Sequence, residues 1–187
     1  MRAPSIPPLR HWNIGKGSKV AVVGLGGLGH MAIKLAHALG AHVTLFSRST
    51  NKIEDAKALG AHEVIISTDE SQMEKAMGRF DLIIDTVPYA HDLNPYVGTL
   101  NINGTLVVVG YLGPLDPMLV TVPMIMGRKS IAGSLIGGIA ETQELLDFCG
   151  KHNITSDVEV INIQDINLAY DRMLKSDVKY RFVIDMK

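Results

Sequence analysis

Residues 19–40 read KVAVVGLGGLGHMAIKLAHALG, and this stretch leaves the chain few folds to choose from. Val20, Ala21, Val22 and Val23 form an apolar run of the kind that makes a buried strand, and Met31, Ile33, Leu35, Ala36 and Leu39 recur at helical spacing. Between them Gly24, Gly26 and Gly29 fit G-x-G-x-x-G, with Gly27 additional. That pattern, set between a strand and a helix, is what a dinucleotide site requires. Gly24 permits a tight turn off the strand, Gly26 lets the backbone approach a pyrophosphate, and Gly29 lets the helix pack on the sheet. The N–H groups and positive dipole end of a helix starting near Gly27 would face the phosphates. A strand-to-helix turn with no ligand would carry the same glycines, so the remainder of the chain has to decide.

Downstream, strand-like runs alternate with helical segments. Strands are expected at residues 42–47, 63–67, 80–87, 105–111 and 130–136, and helices at 51–59, 70–77, 93–100, 122–126 and 141–149. Asn51 stands as N-cap of the second helix with Glu54 three residues on, Pro88 ends the fourth strand, and Asn103-Gly104 reads as a turn. The alternation implies a parallel sheet built from right-handed crossovers, and six strands are the number that a doubly wound α/β fold of Rossmann type needs. Residues 1–16, with Pro4, Pro7 and Pro8, read as an extended lead-in or linker. After residue 157 the alternation stops. A segment at 158–163, a helix at 165–174 and a strand at 180–184 follow the completed sheet and need another surface to cover. The expected division is 1–16 lead-in, 17–157 nucleotide-binding domain and 158–187 C-terminal helix-strand return segment.

A chain of 187 residues suits one domain burying about 70% of its unfolded surface. Eighteen basic residues against 19 acidic, with no strongly basic run, argue against a nucleic-acid or anionic-membrane partner. No stretch is long and apolar enough to span a bilayer. The single cysteine, Cys149, excludes an internal disulfide and fits a reducing compartment, so a cytoplasmic location is expected.

An NAD site normally places Asp or Glu at the end of the second strand to bind the ribose 2′-hydroxyl. Here that place reads Ser47, Arg48, Ser49 and Thr50, with Lys52 close behind. Hydroxyls and two cations suit a 2′-phosphate, so NADP is expected ahead of NAD. Ser49 and Thr50 could equally serve to start the next helix. Ligands of open parallel sheets lie across the carboxyl ends of the strands, which nominates Thr86 and Val87, Val109, Gly110 and Tyr111, and Ser134, Leu135 and Ile136. The missing acid weakens a methyltransferase reading, and no tyrosine has Lys four residues on, which removes the short-chain dehydrogenases. The seven histidines are scattered, and Cys149 with His152 is too small a set for a catalytic zinc. No G-x-S-x-G elbow is present.

The runs SKVAVVGLGGLGHMAIKLAHALGAHVTLFSRS, KALGA, FDLIIDTV, GTLVVVG, SIAGSLIGGIAETQELLDFC and AYDRMLKSDVKYRFVID together resemble the medium-chain, zinc-dependent alcohol dehydrogenases of the cinnamyl-alcohol type, from about residue 8 to 185. The resemblance implies NADP-dependent interconversion of primary alcohols and aldehydes. It also implies roles: Gly24, Leu25, Gly26, Gly27 and Leu28 at the pyrophosphate, Ser47, Arg48 and Lys52 at the 2′-phosphate, and Thr86 and Val87 on the adenosine side. Val109, Gly110, Tyr111, Ser134, Leu135 and Ile136 would line the nicotinamide, and Arg181 would reach a phosphate. Members of the family carry a preceding catalytic domain with two zinc sites, to which no segment of this sequence corresponds. The expectation is therefore a coenzyme-binding part, excised or truncated, that binds NADP(H) without oxidising alcohols, zinc belonging to the whole enzyme. Homodimerisation through the edge strand at 130–136 is implied by the same resemblance. The alternative is a non-catalytic NADPH-binding or regulatory module. Zinc-free reductases of the quinone-reductase kind match less well.

Overall fold

The computed structural model describes residues 6–110, 113–115, 117–175 and 177–186. Six parallel strands form one sheet: β1 (Lys19–Val23), β2 (His42–Ser47), β3 (Glu63–Ile66), β4 (Phe80–Asp85), β5 (Leu100–Val108) and β6 (Ser130–Gly133), in the order β3-β2-β1-β4-β5-β6. The order reverses between β1 and β4, where Val23 pairs with Asp85. Helices α1 (Ile6–His11), α2 (Gly29–Ala38), α3 (Ile53–Ala58), α4 (Glu70–Lys75), α5 (Asn94–Thr99), α6 (Val122–Gly127) and α7 (Ile139–His152) surround it. A second sheet, β7 (Glu159–Asn162) paired in parallel with β8 (Phe182–Asp185), is connected through α8 (Ile166–Leu174).

Alternate residues of each strand feed two cores. Val20 and Val22 of β1 pack with Met31, Ile33 and Leu35 of α2 and with Leu145 of α7, whereas Ala21 and Val23 pack with Met73, Tyr96 and Val97 on the other face. Burial of a Val or Leu side chain is worth about 1.5–3 kcal/mol. A sheet covered on both faces explains why its strands are apolar without alternation.

Several boundaries differ from expectation. Residues 6–11 form α1 and are no linker: Pro7 and Pro8 occupy its first turn, where a missing N–H costs nothing, and Leu9 is fully buried. Arg10 pairs with Glu144 of α7. Asn51 caps nothing; residues Thr50–Lys52 form a 3₁₀ turn preceded by Ser49, whose hydroxyl donates to Asn51 Oδ1 at 2.5 Å. Asn103-Gly104 lies inside β5, not before it. Phe80 pairs with Leu100 but Leu82 with Thr105, so the extra residues bulge outward with Asn103 at φ 62°. Strands β4, β5 and β6 end at Asp85, Val108 and Gly133, two to three residues short of the expected limits, because the chain turns there into the loops that carry candidate site residues.

Candidate functional site

The glycine turn sits at the switch point and is fixed by its own backbone. Gly24 has φ +89°, a conformation open to glycine, and its N–H donates to the Phe46 carbonyl at 3.2 Å. A Cβ on Gly29 would lie 2.1 Å from the Gly24 carbonyl oxygen, so the helix can start here only without a side chain. Gly26 is different: it has no positive φ, and a Cβ there would meet no protein atom within 4 Å. Neither backbone strain nor packing accounts for that glycine, whereas close approach of a pyrophosphate would. Helix α2 starts at Gly29, two residues later than expected, behind Leu28, and the Gly26 carbonyl accepts the His30 N–H at 3.0 Å.

At the end of β2, the Ser47 hydroxyl donates to the Ser49 carbonyl at 2.8 Å and accepts the Ser49 N–H at 3.3 Å, folding the backbone around it. Arg48 is exposed and Lys52 half-buried, and neither forms an ion pair among the described residues. Two cations without a counter-charge and no carboxylate at this strand end fit a 2′-phosphate better than a free 2′-hydroxyl.

The β4 and β5 ends close against the turn. Thr86 Oγ1 donates to the Val23 carbonyl at 2.8 Å, so its hydroxyl serves the backbone of the switch point. A Cβ on Gly24 would touch Val87 at 3.2 Å, and one on Gly110 would lie 2.4 Å from the Val87 carbonyl. Val109 and Gly110 both donate N–H to the Asp85 carbonyl. Arg181 reaches across from the segment before β8 and donates from Nη2 to the Gly27 carbonyl at 3.1 Å. The glycine turn, Thr86, Val87, Gly110 and Arg181 thus form one cluster. Ser134 is linked to it only through its N–H on the Val108 carbonyl at 3.1 Å, and Leu135 and Ile136 project outward. Tyr111 lies outside the described residues.

Two groups escaped the sequence reading. Asp85 is fully buried at the end of β4, its Oδ1 accepting the Val87 N–H at 3.1 Å and its Oδ2 lying 3.1 Å from His91 Nε2, off the line of a well-formed hydrogen bond. His91 Nδ1 faces the Tyr89 carbonyl at 2.9 Å and must donate, because a carbonyl can only accept. Burial pushes the Asp85 carboxyl above its usual range, against the Val87 N–H and His91, which pull it down. The signal was a carboxylate inside the apolar run FDLIIDTV, which demands a partner. The second group is His30, fully buried, with Nδ1 3.1 Å from the Gly26 carbonyl and its ring stacked on Tyr180 at 4.7 Å. Burial lowers the His30 pKa and raises that of Tyr180 to about 12.

Among the described residues no three His, Cys, Asp or Glu side chains are grouped to hold a metal ion, so this set does not fit a zinc centre. No helix among them is long and apolar enough to cross a membrane. An open cleft of about 380 Å³ between the end of α2, Leu59 and residues 152–155 contains none of the nominated residues.

Six parallel strands wound both ways from a glycine turn define the doubly wound nucleotide-binding class of fold. The family described as "Zinc-binding dehydrogenase" matches residues 27–151. A probable formaldehyde dehydrogenase of Bacillus subtilis is 53% identical over 96% of this chain and 51% of its own length. An NADP-dependent alcohol dehydrogenase C of Mycolicibacterium smegmatis is 51% identical over 95% of this chain and 51% of its own. Among solved structures, a cinnamyl alcohol dehydrogenase of Sorghum bicolor superposes with a TM-score of 0.92 at 42% identity, covering 98% of this chain and 52% of that one. An enzyme titled CAD from Helicobacter pylori, complexed with NADP(H), gives 0.86 at 40% identity with the same coverage. The chain belongs to the zinc-binding dehydrogenase family. It spans about half the length of the curated relatives it matches, and corresponds to the coenzyme-binding half of such alcohol dehydrogenases.

Proposed function

We propose that this chain binds NADP(H) as the coenzyme part of an alcohol/aldehyde oxidoreductase. The observation that carries the reading is the pair of uncompensated cations, Arg48 and Lys52, at the end of β2, where an NAD site would hold a carboxylate. Ser47 and Ser49 add hydroxyls beside them. The turn from Gly24 to Leu28 holds the pyrophosphate, with Gly26 giving the close approach and Arg181 adding charge next to Gly27. Thr86 and Val87 flank the adenosine side, and Val109, Gly110, Ser134, Leu135 and Ile136 line the nicotinamide. Bound coenzyme would accept hydride from the carbon of a primary alcohol or deliver it to the carbonyl carbon of the aldehyde. This chain's residues bind and orient it; the groups that would activate the alcohol lie outside the described residues, and the chain alone is expected not to turn over alcohols.

The divisions that go with this reading are a nucleotide-binding unit over residues 17–157, now extended by α1, and a return segment over 158–187. A homodimer through β6 is part of the proposal: among the described residues β6 pairs only with β5, and Val122, Ile125, Met126, Leu135 and Ile139, in the segments before and after it, are exposed. A monomeric mass by light scattering would remove it. The location proposed is cytoplasmic, which fractionation of the native cell tests.

The deciding experiment is calorimetric titration of the purified chain with NADPH and NADH. NADPH is expected to bind more tightly, and each of Arg48→Ala and Lys52→Ala to weaken it by about 10-fold to 100-fold while leaving NADH little changed, since charge-assisted hydrogen bonds are each worth about 1.5–3 kcal/mol. Equal affinity for both coenzymes in the unaltered chain would sink the NADP assignment.

A further inference from the structure

We propose that Tyr89 is a specificity-determining residue, its ring holding the Arg48 guanidinium where a 2′-phosphate is read, and that Asp85 and His91 position the loop that presents it. This rests on the NADP reading and deepens it. Arg48 is exposed and pairs with no carboxylate among the described residues, so an unsupported side chain would forfeit much rotamer freedom on binding a phosphate. Its Cζ lies 5.7 Å from the centre of the Tyr89 ring, within cation–π range. The backbone under Arg48 is held too, its carbonyl accepting the Thr68 hydroxyl at 3.3 Å.

Tyr89 is itself half exposed and belongs to no core cluster, so something other than packing has to place it. Its carbonyl accepts from His91 Nδ1 at 2.9 Å, and the opposite nitrogen of that imidazole lies 3.1 Å from the buried Asp85. The other carboxyl oxygen of Asp85 holds the Val87 N–H at 3.1 Å. Both ends of the segment 87–91 therefore meet one carboxylate at the end of β4, Val87 through a hydrogen bond and His91 through close contact. Asp92 then closes the loop into α5 by accepting the Asn94 N–H at 2.8 Å. The run Asp85, His91, Tyr89, Arg48 carries the rigidity of the central sheet to an exposed cation. NADH, which lacks the 2′-phosphate, gains nothing from it, so the effect is on coenzyme discrimination.

The test is titration of the 187-residue chain with NADPH and NADH for the unaltered protein, Tyr89→Ala, Tyr89→Phe, His91→Ala and Arg48→Ala, with thermal melts to establish folding. Tyr89→Ala is expected to weaken NADPH binding about fivefold and NADH binding by less than about twofold, the range of an exposed cation–π contact. Tyr89→Phe keeps the ring and should restore the unaltered preference, which a merely structural role for the hydroxyl would not. His91→Ala should shift the ratio in the same direction as Tyr89→Ala. Retention of the full preference in Tyr89→Ala, alongside its loss in Arg48→Ala, would overturn the proposal and leave the NADP reading intact. No preference in the unaltered chain would overturn both.

Discussion

The segment from β1 to α2 and the segment from β7 to β8 are both a strand, a connection and a helix or strand, yet they are held in opposite ways. Val20, Ala21 and Val22 are fully buried, with β2 and β4 on either side and helices on both faces. Among the described residues, strands β7 and β8 pair only with each other, and Val160, Val183, Leu168 and Leu174 around them stand exposed. Polar contacts hold the return segment and the residue just before it: Lys34 to Asp157 at 2.8 Å, Lys179 to Asp55 at 2.6 Å and Arg181 to the Gly27 carbonyl. Tyr180, stacked on His30, is its main apolar anchor. The difference teaches that the glycine turn is finished by this chain's own packing before any coenzyme arrives. The return segment leaves Val160, Leu168, Leu174 and Val183 uncovered by the described residues.

The largest expected effect strikes the finished region. Gly29→Ala places a methyl 2.1 Å from a backbone oxygen that cannot move without breaking the Gly24 turn. It is expected to cost about 3 kcal/mol in urea unfolding, at the upper end of overpacking penalties, and to abolish NADPH binding. Wild-type stability with this substitution would mean the turn is softer than its geometry implies, and the contrast between the two regions would fail there.

A smaller effect is expected at their junction. His30 faces Lys34, Asp157 and Arg181 besides Tyr180, and burial, the largest influence, holds its pKa below the usual value, with the Gly26 carbonyl acting the other way. Because the folded pKa lies below the unfolded one, the unfolded chain binds the extra proton first as pH falls. Stability is therefore complete above about pH 6.5 and declines below it, by at most about 1.4 kcal/mol per pH unit for this group. His30→Gln should remove that one-proton slope from the unfolding free energy measured between pH 6.5 and 5. An unchanged slope would move the proton uptake elsewhere. His62 is the next candidate, being lowered by burial and by neighbouring His42 and His37.

What the sequence disclosed follows the same division. The central strands and the backbone roles of Gly24 and Gly29 could be read because periodicity and the absence of Cβ atoms are properties of the chain itself. Helix α1 was missed because proline was counted as a lost donor, when the first helical turn has no use for those donors. Asn103-Gly104 looked like a turn and is a bulge, since the pairing of β5 with β4 resumes beyond it. His91 looked like one of seven scattered histidines, because nothing local reveals that the loop folds it back onto Asp85. Expectations that depended on contacts far along the chain were the ones local pattern could not reach.

The smallest expected effect is the sharpest test of the comparison. Leu174, the last residue of α8, is 86% exposed. Leu174→Gln retains helix propensity and removes an apolar side chain that this chain does not bury, so stability should change by no more than about 0.5 kcal/mol. Any self-association through this surface should weaken, which sedimentation at rising concentration would report. A loss of more than about 1 kcal/mol that does not depend on concentration would mean the chain covers Leu174 itself, and the return segment would then be as complete as the glycine turn. A loss that grows with concentration would place a second copy on this face, and would make the exposed apolar residues of β7, β8 and α8 part of an interface between like chains.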